Sequence, residues 1–156
     1  MKKISLVALL LLCGCQSNNA ATTATEKQPE RFQYLDMRHL PMKVQADGYW
    51  VQTQRSEPLY PIDAARKGLS GCVTLSIAIT PEGKAGGYKV IQSYPEGVFD
   101  DAALQAVNKW RWEPEPGNST RQAILIDTKL EFWVTQGQSN ADEAQRVCQF
   151  ASQLRR

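Results

Sequence analysis

Between Gly71 and Ile79 the side chains alternate: Val73, Leu75, Ile77 and Ile79 interleave with Cys72, Thr74, Ser76 and Ala78. In an extended chain successive side chains point to opposite faces, so a period of two collects the branched apolar groups on one side. A strand with one face against a core satisfies that pattern, and the rest of the chain must build a sheet around it. Thr80-Pro81-Glu82-Gly83-Lys84 follows, with proline and glycine where a turn wants them. A second strand is predicted over about Gly87 to Tyr94, with Tyr88 and Val90 on one face, completing a hairpin.

The flanks read as helices and one more strand. Glu57-Pro58-Leu59-Tyr60-Pro61 is a stiff approach, because its two prolines fix φ. Pro61 suits a first helical position, where its missing N–H would be unpaired anyway. A short helix is predicted from Ile62 to Leu69, with Gly68 placed to end it. Pro95-Glu96-Gly97 breaks the hairpin, and Val98 to Trp110 is predicted helical because Phe99, Ala103, Ala106 and Trp110 form one apolar stripe. Trp110-Arg111-Trp112-Glu113-Pro114 is expected to end that helix. A third strand is predicted from about Gln122 to Val134. Ile124, Ile126, Leu130, Phe132 and Val134 share one face of it, and Asp127, Lys129 and Glu131 the other. Ser139 and Asn140 can cap a final helix, with Asp142 and Glu143 in its first turn and Ala144, Val147, Cys148, Ala151 and Leu154 on its apolar face. Residues 31–57 hold aromatics without a clean period. Within them Met42 to Val51 fits a short strand or an extended segment lying on the domain.

At the N-terminus, Met1-Lys2-Lys3 precedes an apolar run from Ile4 to Leu12. A basic start and a short apolar core make a secretory signal. The run is about nine residues long, whereas a membrane-spanning helix needs roughly 20. Leu12-Cys13-Gly14-Cys15 resembles the lipobox of bacterial lipoproteins, which implies cleavage after Gly14 and membrane attachment through lipid on Cys15. Residues 16–30 are too polar and small to bury a core and read as a tether. Gln16 in place of Asp implies sorting to the outer membrane, on its periplasmic face. Such a leader removes Lys2 and Lys3, and the 18 basic residues fall level with the 16 acidic ones. No basic stripe remains, which argues against nucleic acid as a partner. The 42% hydrophobic content supplies one small core.

Of the four cysteines, Cys72 and Cys148 remain once Cys13 is removed and Cys15 is acylated. In an oxidising compartment they form either a Cys72–Cys148 disulfide or two separate thiols. Cys72 alternates with Val73 and so faces away from the main apolar side. A bridge would place the final helix opposite helix Val98–Trp110, or over an edge. Two cysteines and the single histidine, His39, do not make a metal site. There is no glycine-rich phosphate loop and no nucleophile beside a base. No catalytic residue, metal or cofactor is expected, and the chain is read as non-enzymatic.

Tyr60-Pro61-x-x-Ala64, Gly68-x-x-Gly71-x-Val73, Thr80-Pro81-x-Gly83 and Trp110-x-Trp112-x-Pro114 occur in that order. Together they resemble the C-terminal domain of the TonB energy-transducer family, over residues 57–135. The resemblance implies an α+β domain: a three-stranded antiparallel sheet packed with two helices in the order α-β-β-α-β, here followed by an extra C-terminal helix. The expected organisation is a signal peptide over 1–14, a lipid-anchored tether and extended segment over 15–56, the TonB-like domain over 57–135 and the final helix over 136–156. The resemblance also implies a periplasmic domain that grips an extended segment of an outer-membrane receptor by strand addition. In that mode an incoming peptide satisfies the unpaired N–H and C=O groups of a sheet edge. The family's edge strand is the last one, so Ile124, Ile126, Thr128, Leu130 and Phe132 are expected at the partner, with Arg55, Glu57, Pro58 and Leu59 before the Tyr-Pro pair. An open edge also permits a homodimer. TonB transducers carry an N-terminal transmembrane helix that couples to a motor. A cleaved, lipidated leader implies binding as an accessory to TonB-dependent transport, without energy transfer. The alternative is a docking component of an envelope complex.

Overall fold

The computed structural model describes residues 33–134 and 139–153, with side chains as far as Gln149. The leader, Cys15 and residues 16–32 lie outside the described residues, as do the side chains of Ala151 and Leu154. In chain order the elements are β1 (Leu35–Asp36), a 3-10 turn (Met42–Val44), β2 (Trp50–Gln54), α1 (Ile62–Arg66), β3 (Gly71–Ile79), β4 (Ala85–Tyr94), α2 (Asp100–Val107), β5 (Arg111–Pro114), β6 (Ile124–Phe132) and α3 (Ala141–Gln153).

The alternating stretch becomes the buried β3, flanked on both sides. β4 pairs with it through the hairpin, and β6 pairs antiparallel on the other edge, with Val73 opposite Leu130 and Ile77 opposite Ile126. Val73, Leu75, Ile77 and Ile79 are fully buried, and burying each such side chain stabilises the fold by roughly 1.5–3 kcal/mol. Phe99, Ala103 and Val107 of the α2 region close over this face, the small alanine permitting close approach. Tyr60, ahead of α1, sets its ring edge-on to Phe99 and Phe132.

The three-stranded sheet expected from the resemblance is present as β6-β3-β4, but the architecture exceeds it. The main sheet has four strands in the order β1-β6-β3-β4, and β2 with β5 forms a separate two-stranded sheet. Three readings of the sequence are corrected with it. The helix expected to reach Trp110 ends at Val107, and Arg111–Pro114 is a strand. Trp110 and Trp112 are both buried, and a separation of two is the spacing of one face of a strand. Pro114 closes that strand, a position where its missing N–H is tolerated. Residues 42–54 become a turn and then β2, whose Trp50 is buried and donates from Nε1 to the Gln122 carbonyl at 2.8 Å. Lastly, Asn140 does stand at the N-cap of α3, its carbonyl accepting from Ala144 N at 2.9 Å, but its side chain and that of Ser139 bond the segment ahead of β3. Asn140 accepts from Ser70 N at 2.8 Å and donates to Ser70 O at 2.9 Å, and Ser139 Oγ donates to Lys67 O at 3.0 Å. They dock α3 at the start of β3.

Of the two alternatives for the cysteines, the structure has the disulfide: Cys72 and Cys148 are bonded, with Cα atoms 5.9 Å apart. Ala144 and Cys148 are fully buried but outside the central core, because α3 packs on β3 and β4 from the face opposite α2.

Candidate functional site

The two edges of β6 are used differently. Its even-numbered residues turn their backbone groups to β3, and its odd-numbered residues turn theirs outward. The first outward positions are taken. Leu35 N donates to Ala123 O at 2.9 Å, and Met37 N donates to Leu125 O at 3.0 Å. The Asp127 N–H is met at 2.5 Å by the side-chain oxygen of Gln45, which is itself buried. Beyond Asp127, among the described residues, no strand pairs with this side of β6. The outward backbone groups of Lys129 and Glu131 therefore form the open length of the edge.

Charge and one indole surround that length. Lys129 Nζ lies 2.7 Å from Glu131 Oε1 and also donates to Cys148 O at 3.1 Å. The Lys129 hydrogen bond holds the Glu131 carboxyl below the usual carboxylate range. Trp133 is 45% exposed at the end of the strand and donates from Nε1 to Glu131 Oε2 at 3.4 Å.

The residues singled out from the sequence fall into two groups. Ile124, Ile126, Leu130 and Phe132 are buried in the core, and with Thr128 they belong to the half of β6 whose backbone faces β3. Their contribution at the edge is to hold the strand rigid from behind. Arg55, Glu57, Pro58 and Leu59 lie on the approach to α1. The Arg55 guanidinium lies 4.6 Å over the Trp110 ring, and its Nε donates to Glu57 Oε1 at 3.3 Å. Leu59 is 78% exposed, and the nearby Ile62 is 70% exposed. Tyr60 brings this segment to the C-terminal end of β6, since its ring packs 5.9 Å from that of Phe132 and its hydroxyl donates to Leu69 O. The apolar approach and the open edge thus lie toward the same end of β6. Sequence reasoning missed Leu35, Met37 and Gln45, whose importance comes from partners about 80–90 residues away and leaves no local pattern.

Among the described residues, no cluster of three or more His, Cys, Asp and Glu side chains could hold a metal ion, and no helix is long and apolar enough to cross a membrane.

Residues 56–134 match the family described as Gram-negative bacterial TonB protein C-terminal. The TonB protein of Pseudomonas aeruginosa is 39% identical over 79 residues, covering 49% of this chain and 22% of that protein. The TonB protein of Escherichia coli is 29% identical over 73 residues, covering 46% of this chain and 30% of that protein. The solution NMR structure of the Pseudomonas aeruginosa TonB C-terminal domain aligns with a TM-score of 0.53 at 28% identity, over 58% of this chain and 91% of that one. The chain spans 22–30% of the length of these curated relatives. They correct one expectation. The outer-membrane placement rested on Gln16 alone, and the matched relatives are TonB proteins, which are held in the inner membrane by an N-terminal helix ahead of a periplasmic domain. The match extends across half of the sequence and over the hairpin, α2 and the edge strand, and by it the chain belongs to the TonB C-terminal family.

Proposed function

We propose that this chain is a protein-binding module, accessory to TonB-dependent transport, that takes an extended segment of a partner protein as an added strand on β6. The family is one of non-catalytic adaptor domains, and the chain is not an enzyme. The observation that carries the reading is the open outward backbone at Lys129 and Glu131, on a strand fixed from behind by β3. A peptide laid there completes the ladder with main-chain hydrogen bonds and draws side-chain selectivity from its neighbours. Trp133 and the exposed Leu59 and Ile62 supply apolar surface, and the Lys129–Glu131 pair supplies charge. The partner class is the periplasm-facing extended segment of an outer-membrane receptor.

The test is a titration of isotope-labelled protein with such peptides, following backbone amides by NMR. Shifts are expected at Lys129, Glu131 and Trp133. Their absence at millimolar peptide would reject strand addition at this edge. One observation favours a second reading, a docking component of an envelope complex. Part of the β6 edge is already filled by β1. A stoichiometric crosslinked partner that is not a receptor would select it.

A further inference from the structure

β1 is only two residues long, yet it sits where a partner strand would add. It runs parallel to β6, with Leu35 opposite Ile124 and Asp36 opposite Leu125. Bonds on both flanks hold it. Gln122 Nε2 donates to Gln33 O at 2.9 Å. Gln45 donates from Nε2 to Leu40 O at 2.7 Å, while its Oε1 takes the Asp127 N–H. Met37 is buried in the core, and Leu35, two residues away on the same side of the extended chain, is 40% exposed. Asp36 and Arg38 pair at 2.5 Å, and Arg38 Nη1 reaches Ser76 Oγ at 3.2 Å.

We propose that residues 35–45 are a resident occupant of the binding edge, closing Ala123 to Asp127, and that a partner strand pairing along the whole of β6 displaces β1. This rests on the strand-addition reading above. The resident also describes its competitor. The incoming segment is an extended peptide, parallel to β6, with an apolar side chain where Met37 is buried. The short parallel ladder, with Leu35 N donating to Ala123 O and Met37 N to Leu125 O at its two ends, holds β1 to β6. A longer peptide makes more bonds along the same edge and replaces it. Short or poorly matched segments do not, because their apparent affinity falls with the fraction of the protein in which the edge is open.

The test uses the full chain and a synthetic peptide copying residues 33–39 as the probe. Leu35→Pro removes the donor to Ala123 O at an exposed position. Leu35→Gly keeps that donor, weakens the strand through backbone entropy alone and guards against a folding defect. Both variants should bind the probe more tightly than the wild type, Leu35→Pro by about five- to tenfold, as losing one ladder bond predicts. New amide shifts should appear at Ala123, Leu125 and Asp127. Equal affinity in wild type and variants, or no binding to any of them, overturns the resident strand. The strand-addition reading is judged separately by the shifts at Lys129 and Glu131 in the wild-type receptor-peptide titration, so either idea can fail alone.

Discussion

Gly71 shows how one residue sets the spacing of the sheet. A Cβ there would lie 1.8 Å from the Tyr94 carbonyl oxygen and 2.8 Å from the Phe99 ring. The neighbours are backbone and a packed aromatic, neither of which can swing aside. Gly71→Ala is expected to destabilise the domain by roughly 1–3 kcal/mol or more, read as a lower denaturant midpoint at unchanged slope. An unchanged midpoint would mean that β3 and β4 separate at little cost. Gly83 meets a double demand, with φ +70° and only 2.0 Å between its would-be Cβ and the Trp112 carbonyl oxygen. Sequence reading placed Gly83 in a turn by its chemistry. It had no means of seeing that the turn is pressed against β5, because that contact joins residues far apart in the chain. Gln45 is harder still: a glutamine in an aperiodic stretch reads as surface, and only the fold shows it buried against Asp127.

Among the elements, α3 and β5 mark where local pattern succeeds and where it stops. The apolar stripe and acidic first turn of α3 are local features, and its span was legible. Its place on the sheet depends on Cys72, whose face followed from alternation once a bridge was assumed. The disulfide closes a loop across a separation of 76 residues, and removing such a link costs roughly 2–4 kcal/mol. Cys148→Ser should lower the unfolding midpoint by that amount and leave the β-sheet signal in circular dichroism intact, because the residues α3 buries lie outside the central core. Loss of the sheet signal would show instead that α3 is part of the folding core. β5 escapes a local reading because Trp110 continues the helical stripe of Phe99, Ala103 and Ala106, and the two-residue step to Trp112 is too short a run to announce a strand; pairing with β2 decides it.

Across the whole molecule, the small sheet and the large one are tied through tryptophan. Trp50 Nε1 donates to Gln122 O just before β6, and Trp112 N donates to Gly83 O at 2.9 Å in the hairpin turn. Lipid on Cys15, expected from Leu12-Cys13-Gly14-Cys15, belongs to this scale as a proposal: it would hold the chain at a membrane whatever the domain binds. Cys15→Ala is expected to move the protein from the membrane fraction to the soluble one and to abolish labelling by a fatty-acid analogue. A variant that stays membrane-bound and labelled would refute the anchor. By itself the sequence determined the hairpin, the two helices that pack with it, the helix that follows and the face on which Cys72 lies. Alternation, turn chemistry and apolar stripes act over a few residues and can be read there. Only the tertiary structure decided the fourth strand, the second sheet and which length of β6 stays open. Those follow from pairings such as Gln45 with Asp127, 82 residues apart, whose energy depends on two distant segments meeting.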